Sequence, residues 1–540
     1  MAKITTEGGN EEEMVTEWEE LQPPDGGWGW MVAFGSFIML LLVPMVTLCF
    51  SILFSGFLIE QGASSTTIAW IFNLHIFLWN LIGPLTGPLS TEFGFRRVSL
   101  VGTAVSSLSL LLVAFTDSIA YLMVFFSLCG LFGGLGCKPA YVLTSLYFEK
   151  RRGQAFAMLM GGICIGQFMG PPLVRYLLEN YALMGANLIL GALVLNSCVG
   201  AALFHPVEWH MKRRRRAENP ITPDCVDEDK EDGCMIKGVS CKDKEMMLKS
   251  QESKWTPGEA ARITLIRNLS RCSSVSSAAS FIDLTSVPPV SHTGIDVYLG
   301  EGDEDSSYPK TSRVRKIVFV VVRVVRLLIT DLKIFKSPRA LIIAIAGVCV
   351  ANGYLNFHMI LPFAIQNSGY TLEEAAWCMS IAAISNLVAR LSNSALSDCS
   401  WYNMRLVYML GAGLVALTTL VFSFLSDLTW MKVTMGLWGY GVGTNISLYT
   451  LIMPKYMGRE NMAAIFGGQS FFMAIGHITL GPLIGLIRDL SGSYAVAMQV
   501  ISVEVFLCVL LWFFMPAAVT YDKKKENLQK SSTDAGKTSP

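Results

Sequence analysis

Arg390, Lys138 and Glu504 are charged residues that fall well inside otherwise apolar stretches. A charge in hydrocarbon costs at least about 2.5 kcal/mol unless it faces a polar cavity or a partner, so each marks a place where an ion or a proton could be handled. Arginine offers a planar fork that fits a carboxylate, and lysine a point charge that titrates when desolvated. Lys138, directly before Pro139, lies about nine residues from one end of its stretch, and Arg390 about seven from the end of its own. At about 1.5 Å per residue these depths agree within a few ångströms. Two cations at one depth can flank a single anion, so Arg390, Lys138 and Asn386, one turn before Arg390, are the candidate anion-binding residues. The alternative pairs Lys138 with a buried acid and makes it structural.

Glu504 is the one carboxylate in the middle of an apolar stretch, and burial cost favours a protonated side chain packed against a neighbour. Three histidines, His75, His358 and His477, also lie in such stretches. A lone histidine there is more often an interhelical hydrogen bonder than a relay. His358 shares its stretch with Asn352 and Asn356 and is the best relay candidate; Asn73 is a further candidate for the polar lining of a cavity. The 13 cysteines form no CxxC pair or Cys/His cluster, so no metal is expected. Nor is there a nucleophile–base pairing or a phosphate-binding glycine loop. No enzyme, cofactor or nucleic-acid partner is expected.

The elements that must position these residues are membrane helices. The chain has 540 residues, 52% hydrophobic and 16% charged, with formal net charge +0 and mean hydropathy +0.46. Stretches long enough to cross about 30 Å of hydrocarbon recur at 30–57, 67–90, 98–116, 119–147, 153–175, 181–204, 340–366, 374–397, 404–425, 429–455, 461–487 and 493–516. Lys/Arg clusters (Arg96-Arg97, Lys150-Arg151-Arg152, Lys212 to Arg216, Arg405, Lys455, Lys523-Lys524-Lys525) fall on alternate connections, which places both termini and the central loop in the cytoplasm. Arg175, Lys432 and Arg488 are exceptions at span ends, where they can snorkel. The expected organisation is a cytoplasmic tail (1–29), a six-helix half (30–205), a cytoplasmic loop (206–338), a second six-helix half (339–516) and a cytoplasmic tail (517–540). The loop is expected to be largely disordered, with Arg-x-x-Ser patterns at Ser270 and Ser274 and a basic amphipathic helix near 313–336 suited to an anionic leaflet.

The halves echo each other. Gly87-Pro88-Leu89-Ser90 after the second span has a counterpart in Ser394-Ala395-Leu396-Ser397 after the eighth, and Ile165-Gly166…Gly170-Pro171 one in Ile475-Gly476…Gly481-Pro482. An all-α repeat of twelve helices around a long linker implies the major facilitator architecture, with a substrate site between the halves. Two motifs narrow this. Asp25-Gly26-Gly27-Trp28-Gly29-Trp30, where the acidic tail gives way to the first span, resembles the opening signature of the monocarboxylate transporter family. Tyr147-Phe148-Glu149-Lys150-Arg151-Arg152 resembles its second signature, although Gln154-Ala155-Phe156-Ala157 departs from the family's Leu-Ala-x-Gly.

The resemblance implies a plasma-membrane carrier of small organic anions, monocarboxylates foremost, working by alternating access. It permits a single-span immunoglobulin-like escort protein as partner, beside the anion and the lipid bilayer. Proton-coupled members carry Asp-x-x-x-Arg in helix 8 and a lysine in helix 1; this chain has Asn386 and Leu48 at those places, and neither exchanges a proton. The alternatives are a family member carrying zwitterions such as aromatic amino acids or carnitine-like compounds, and a non-transporting sensor that signals through the central loop.

Overall fold

The computed structural model describes residues 20–148, 151–214, 332–396, 402–457 and 462–525, together with Val322. Fourteen helices make up nearly all of it. The first half holds α1 (Trp28–Leu48), α2 (Phe50–Glu60), α3 (Ser65–Leu81), α4 (Gly83–Phe93), α5 (Phe95–Val113), α6 (Ile119–Tyr147), α7 (Arg152–Leu195) and α8 (Ser197–Ala202). The second holds α9 (Pro338–Asn367), α10 (Leu372–Leu396), α11 (Met404–Phe422), α12 (Leu428–Met457), α13 (Met462–Ser491) and α14 (Tyr494–Phe513). Without water, a backbone can satisfy its own polar groups across a membrane only as a helix or a closed barrel. Among the described residues 9 helices are long and apolar enough to cross, or 10 with α3 and α4 taken as one bent span. In that count α1–α2 and α7–α8 are continuous. α12, diluted by Gly436, Gly439, Gly441, Gly443, Thr444 and Asn445, falls outside it.

The breaks have local causes. α3 and α4 meet at 46° just before Pro84, whose ring removes a donor and crowds the carbonyl four residues back. α7 has 44 residues, about 66 Å at 1.5 Å per residue, twice the hydrocarbon thickness. It holds the fifth and sixth expected spans, and the chain reverses at Ala182, where φ is 53° and ψ −177°.

Glycines pair the helices alike in both halves. A Cβ on Gly130 or Gly134 of α6 would strike the backbone of His75 or Trp79 in α3, and one on Gly439 or Gly443 of α12 the carbonyls of Ala382 or Asn386 in α10. The internal repeat is therefore structural as well as sequential.

The tail and the central connection are tied together. β1 (Glu20–Gln22) pairs antiparallel with β2 (Lys212–Arg214), a two-stranded ladder that the all-helical reading did not anticipate. At the far end of the chain Asp522 accepts from Arg339 Nε at 2.6 Å and from Ser337 Oγ at 2.5 Å. Helix continues over 515–525, into the expected tail. Both described chain ends thus lie at one end of the bundle, called the tail side below. The expected basic helix near 313–336 lies outside the described residues except for Val322 and a 3-10 turn at Leu332–Lys336. Ser270, Ser274, Cys225, Cys234 and Cys241 also lie outside them.

Candidate functional site

The halves meet along two antiparallel helix pairs. In α7 and α10, Arg175 bonds Glu373 at 2.8 Å, Ser380 Oγ donates to the Phe168 carbonyl at 3.1 Å, and Arg390 Nη1 points at Met160 Sδ at 4.0 Å. Moving up the sequence of α10 from Glu373 to Ser380 to Arg390, the partners run back down α7 from Arg175 to Phe168 to Met160. In α3 and α13, Asp489 accepts from Ser65 N (2.9 Å), Thr66 N (2.8 Å) and Thr66 Oγ1 (2.6 Å). Further in, Gly481 lies against Asn73 with no room for a Cβ. Gln167 Nε2 donates to Tyr354 Oη at 3.1 Å, and Ser51 donates to the Met359 carbonyl. These contacts run from the end opposite the tails to mid-membrane. Arg175, expected to snorkel, instead sits between Glu373 and Glu179, the latter at 2.6 Å. The partners are far apart in sequence, which is why the pattern of one span could not reveal them.

Arg390 stands at the inner end of the α7–α10 contact, half-buried. Its Nε donates to Asn386 Oδ1 at 2.8 Å. A guanidinium has five N–H groups, so most of the fork is left over, and among the described residues no carboxylate pairs with it. An aspartate at position 386 would neutralise this cation. The amide orients the guanidinium by the same hydrogen bond and leaves its charge uncompensated. Gly443 fixes the placement, because its missing Cβ lets α12 approach the Asn386 carbonyl. Tyr354 accepts from Gln167 Nε2 and stacks on Trp438 at 5.6 Å. Sequence reasoning missed Met160, Gln167 and Tyr354, since none carries a charge that stands out in an apolar helix.

Lys138 is fully buried in α6, one turn beyond Gly134 and its contact with Trp79. The described bonds of Arg390 go to Asn386 and Met160 and do not include it. His75 is bonded on both nitrogens, to Thr47 Oγ1 at 2.9 Å and the Phe126 carbonyl at 2.7 Å. His358 lies in an aromatic corner, 6.1 Å from Tyr354 and 6.4 Å from Trp438 between ring centroids. It makes no described hydrogen bond to Asn352 or Asn356. Residues two apart on a helix face away from each other, which separates His358 from Asn356.

The asparagines instead form a chain without the histidine. Asn73 Nδ2 donates to Asn356 Oδ1 (2.8 Å), Asn356 Nδ2 to Asn352 Oδ1 (2.8 Å), and Asn352 Nδ2 to both oxygens of Glu504 (2.8 and 3.1 Å). Glu504 is thus packed against a neighbouring helix as expected, and its neighbour links it to α3 of the other half.

The two sequence signatures meet at the tail side. Asp25 N donates to the Tyr147 carbonyl at 3.1 Å, Gly29 lies against Tyr147 and Phe148, and Trp30 packs on Phe148 at 4.9 Å. Gly26 and Gly27 make the turn before α1, Gly27 at φ 57°, a conformation that a Cβ disfavours. Trp28 Nε1 donates to the Leu203 carbonyl at 3.1 Å. Arg151 stands directly before α7 and makes no side-chain cap bond to it, and Lys150 lies outside the described residues. The motifs dock α1 onto the α6–α7 corner.

Two six-helix halves joined along paired helices, with a guanidinium at the seam, define a multi-pass membrane carrier. The chain belongs to the Major Facilitator Superfamily, whose family model matches residues 36–481. It is similar to monocarboxylate transporter 12-B of Danio rerio, 26% identical over 518 residues, 94% of this chain and 91% of the relative. It is also similar to monocarboxylate transporter 9 of Pongo abelii, 26% identical over 516 residues (94% and 96%). With monocarboxylate transporter 1 of Bos taurus it shares 23% over 528 residues (94% and 89%).

Proposed function

We propose that this protein carries small organic anions, monocarboxylates foremost, across the plasma membrane by alternating access, with Arg390 as the anion-binding group. The observation that carries this reading is the half-buried Arg390 fork at the seam between the halves, oriented by Asn386 at 2.8 Å and paired with no carboxylate among the described residues. Lys138 is a second cation for the same site, and the names of the relatives support the substrate class. The Lys/Arg asymmetry of the connections assigns the tail side to the cytoplasm. Alternating access then requires that the α3–α13 and α7–α10 contacts break while the tail side closes. With Asn386 and Leu48 in place, the proton route through helices 1 and 8 is closed.

A second reading has one observation in its favour. Tyr354 and Trp438, stacked at 5.6 Å, suit the ring of an aromatic amino acid. Counterflow in proteoliposomes with lactate, pyruvate, phenylalanine and tyrosine decides between them. Exchange of the simple acids supports the first reading; exchange only of the amino acids replaces it with the second; no exchange of any removes both. Co-purification from membranes tests the escort protein that the family resemblance permits.

A further inference from the structure

Glu504 has no cation partner among the described residues, and its two carboxylate oxygens share a single amide donor, Asn352 Nδ2. The shortest side-chain amide bonds in the chain behind it run toward the carboxylate, Asn73 to Asn356, Asn356 to Asn352 and Asn352 to Glu504, each at 2.8 Å; a longer one returns from Asn356 Nδ2 to Asn73 Oδ1 at 3.4 Å. The surroundings offer little else that ionises. α9 contributes Cys349, three residues before Asn352 on the same helix. α14 contributes Cys508 one turn on, which contacts Tyr408 of α11 at 3.9 Å. α13 carries one titratable group between its ends, His477, which makes no described bond to Glu504.

We propose that Glu504 is the proton-binding site of this carrier, and that the Asn352–Asn356–Asn73 chain transmits its protonation to the contact between the halves. The proposal rests on the transport reading above and replaces the closed helix-8 route with one through α14. Amides exchange no proton at physiological pH, so the carboxylate is the one member of the chain that can take one. A proton from water adds to one oxygen, converting an acceptor into a donor. Its new O–H finds an acceptor in Asn352 Oδ1 if that amide turns over. Asn352 Nδ2 then faces Asn356 Nδ2, two donors in opposition, and Asn356 must turn as well. That removes the 2.8 Å acceptance from Asn73, whose side chain is held on its other face by Gly481. One proton thus alters a bond between the halves, and the same proton leaves to water on the other side with the anion. One proton and one monoanion move together without net charge.

The test uses the full-length protein in proteoliposomes, with labelled lactate as probe and membrane voltage clamped to zero. An imposed gradient of about one pH unit should drive roughly tenfold accumulation in the wild type, since one unit is about 1.4 kcal/mol. Glu504→Gln should lower the ratio to about one, and Glu504→Asp, which keeps an acid, should restore accumulation. The ratio does not depend on how much active protein is present. Unaltered accumulation in Glu504→Gln, or none in a wild type that exchanges lactate, overturns the proposal and leaves the transport reading standing. Infrared difference spectra (wild type minus Glu504→Gln) supply a readout independent of flux. A carboxylic C=O band that grows as pH falls is expected, and its absence overturns the proposal even if the probe is not a substrate.

Discussion

Asp489→Ala should release the end of the bundle opposite the tails. Asp489 belongs to the second half, yet it accepts from the first two backbone N–H groups of α3 and from the Thr66 hydroxyl, at 2.9, 2.8 and 2.6 Å. It thus acts as a second cap on a helix of the other half, beside the local cap in which Thr67 N donates to Ser64 Oγ at 3.2 Å. Losing an N-cap side chain costs about 0.5–2 kcal/mol, and losing a negative charge at a helix N-terminus about 0.3–1 kcal/mol. Water reaches this helix end and replaces part of the loss, so about 2 kcal/mol is a fair sum. If the bonds exist only while this end is closed, the balance between closed and open states shifts by roughly thirtyfold, at about 1.4 kcal/mol per factor of ten. Spin labels on cysteines replacing the exposed Gln61 and Ser491, with the accessible native cysteines changed to serine, report the distance across this end. A long-distance population should appear in Asp489→Ala and to a smaller extent in Asp489→Asn. An unchanged distance distribution in both would show that the cap does not hold the state.

Two further outcomes are expected. Gly443→Ala should lower the melting temperature by the equivalent of about 1–3 kcal/mol and weaken anion binding, because its Cβ meets the Asn386 carbonyl and the Ala389 side chain (2.8 Å); a variant with wild-type melting and binding would remove Gly443 from the support of the site. At the tail side, His205 Nδ1 and His210 Nε2 are 3.4 Å apart, and Trp28 stacks on both rings at 4.5 and 5.8 Å. Partial burial, then His210 and Arg96, hold His205 below its ordinary value of 6.5. The docked form therefore favours the neutral ring, and docking is intact above the ordinary value and weakens as pH falls below it. The emission assigned to Trp28, taken as wild type minus Trp28→Phe, should change on acidification and stay flat in His205→Gln.

Much of the architecture was legible because a membrane imposes it. A span must be long, apolar and helical, so α5, α6, α9, α11 and α14 could be read from residue type alone. Arg390 and Glu504 were visible for the same reason, as charges where charge is costly. Partnership was not legible. Asn352 and Asn356 stand beside His358 in sequence, yet helix geometry turns them toward Glu504 and Asn73 and leaves the histidine among aromatics. Arg175 sat where snorkelling was the natural reading, and only the fold of the second half brings Glu373 to it. The β1–β2 ladder joins three-residue strands far apart in the chain, too short to leave a periodic signal.

If Arg390 holds the anion, substrate counterflow falls in Arg390→Ala. Removing a charge-assisted, two-pronged hydrogen-bond donor should cost about 3 kcal/mol, roughly a hundredfold in exchange at low substrate concentration, with Arg390→Lys retaining part of it. A correctly folded Arg390→Ala protein that exchanges lactate at the wild-type rate would show that the anion binds elsewhere.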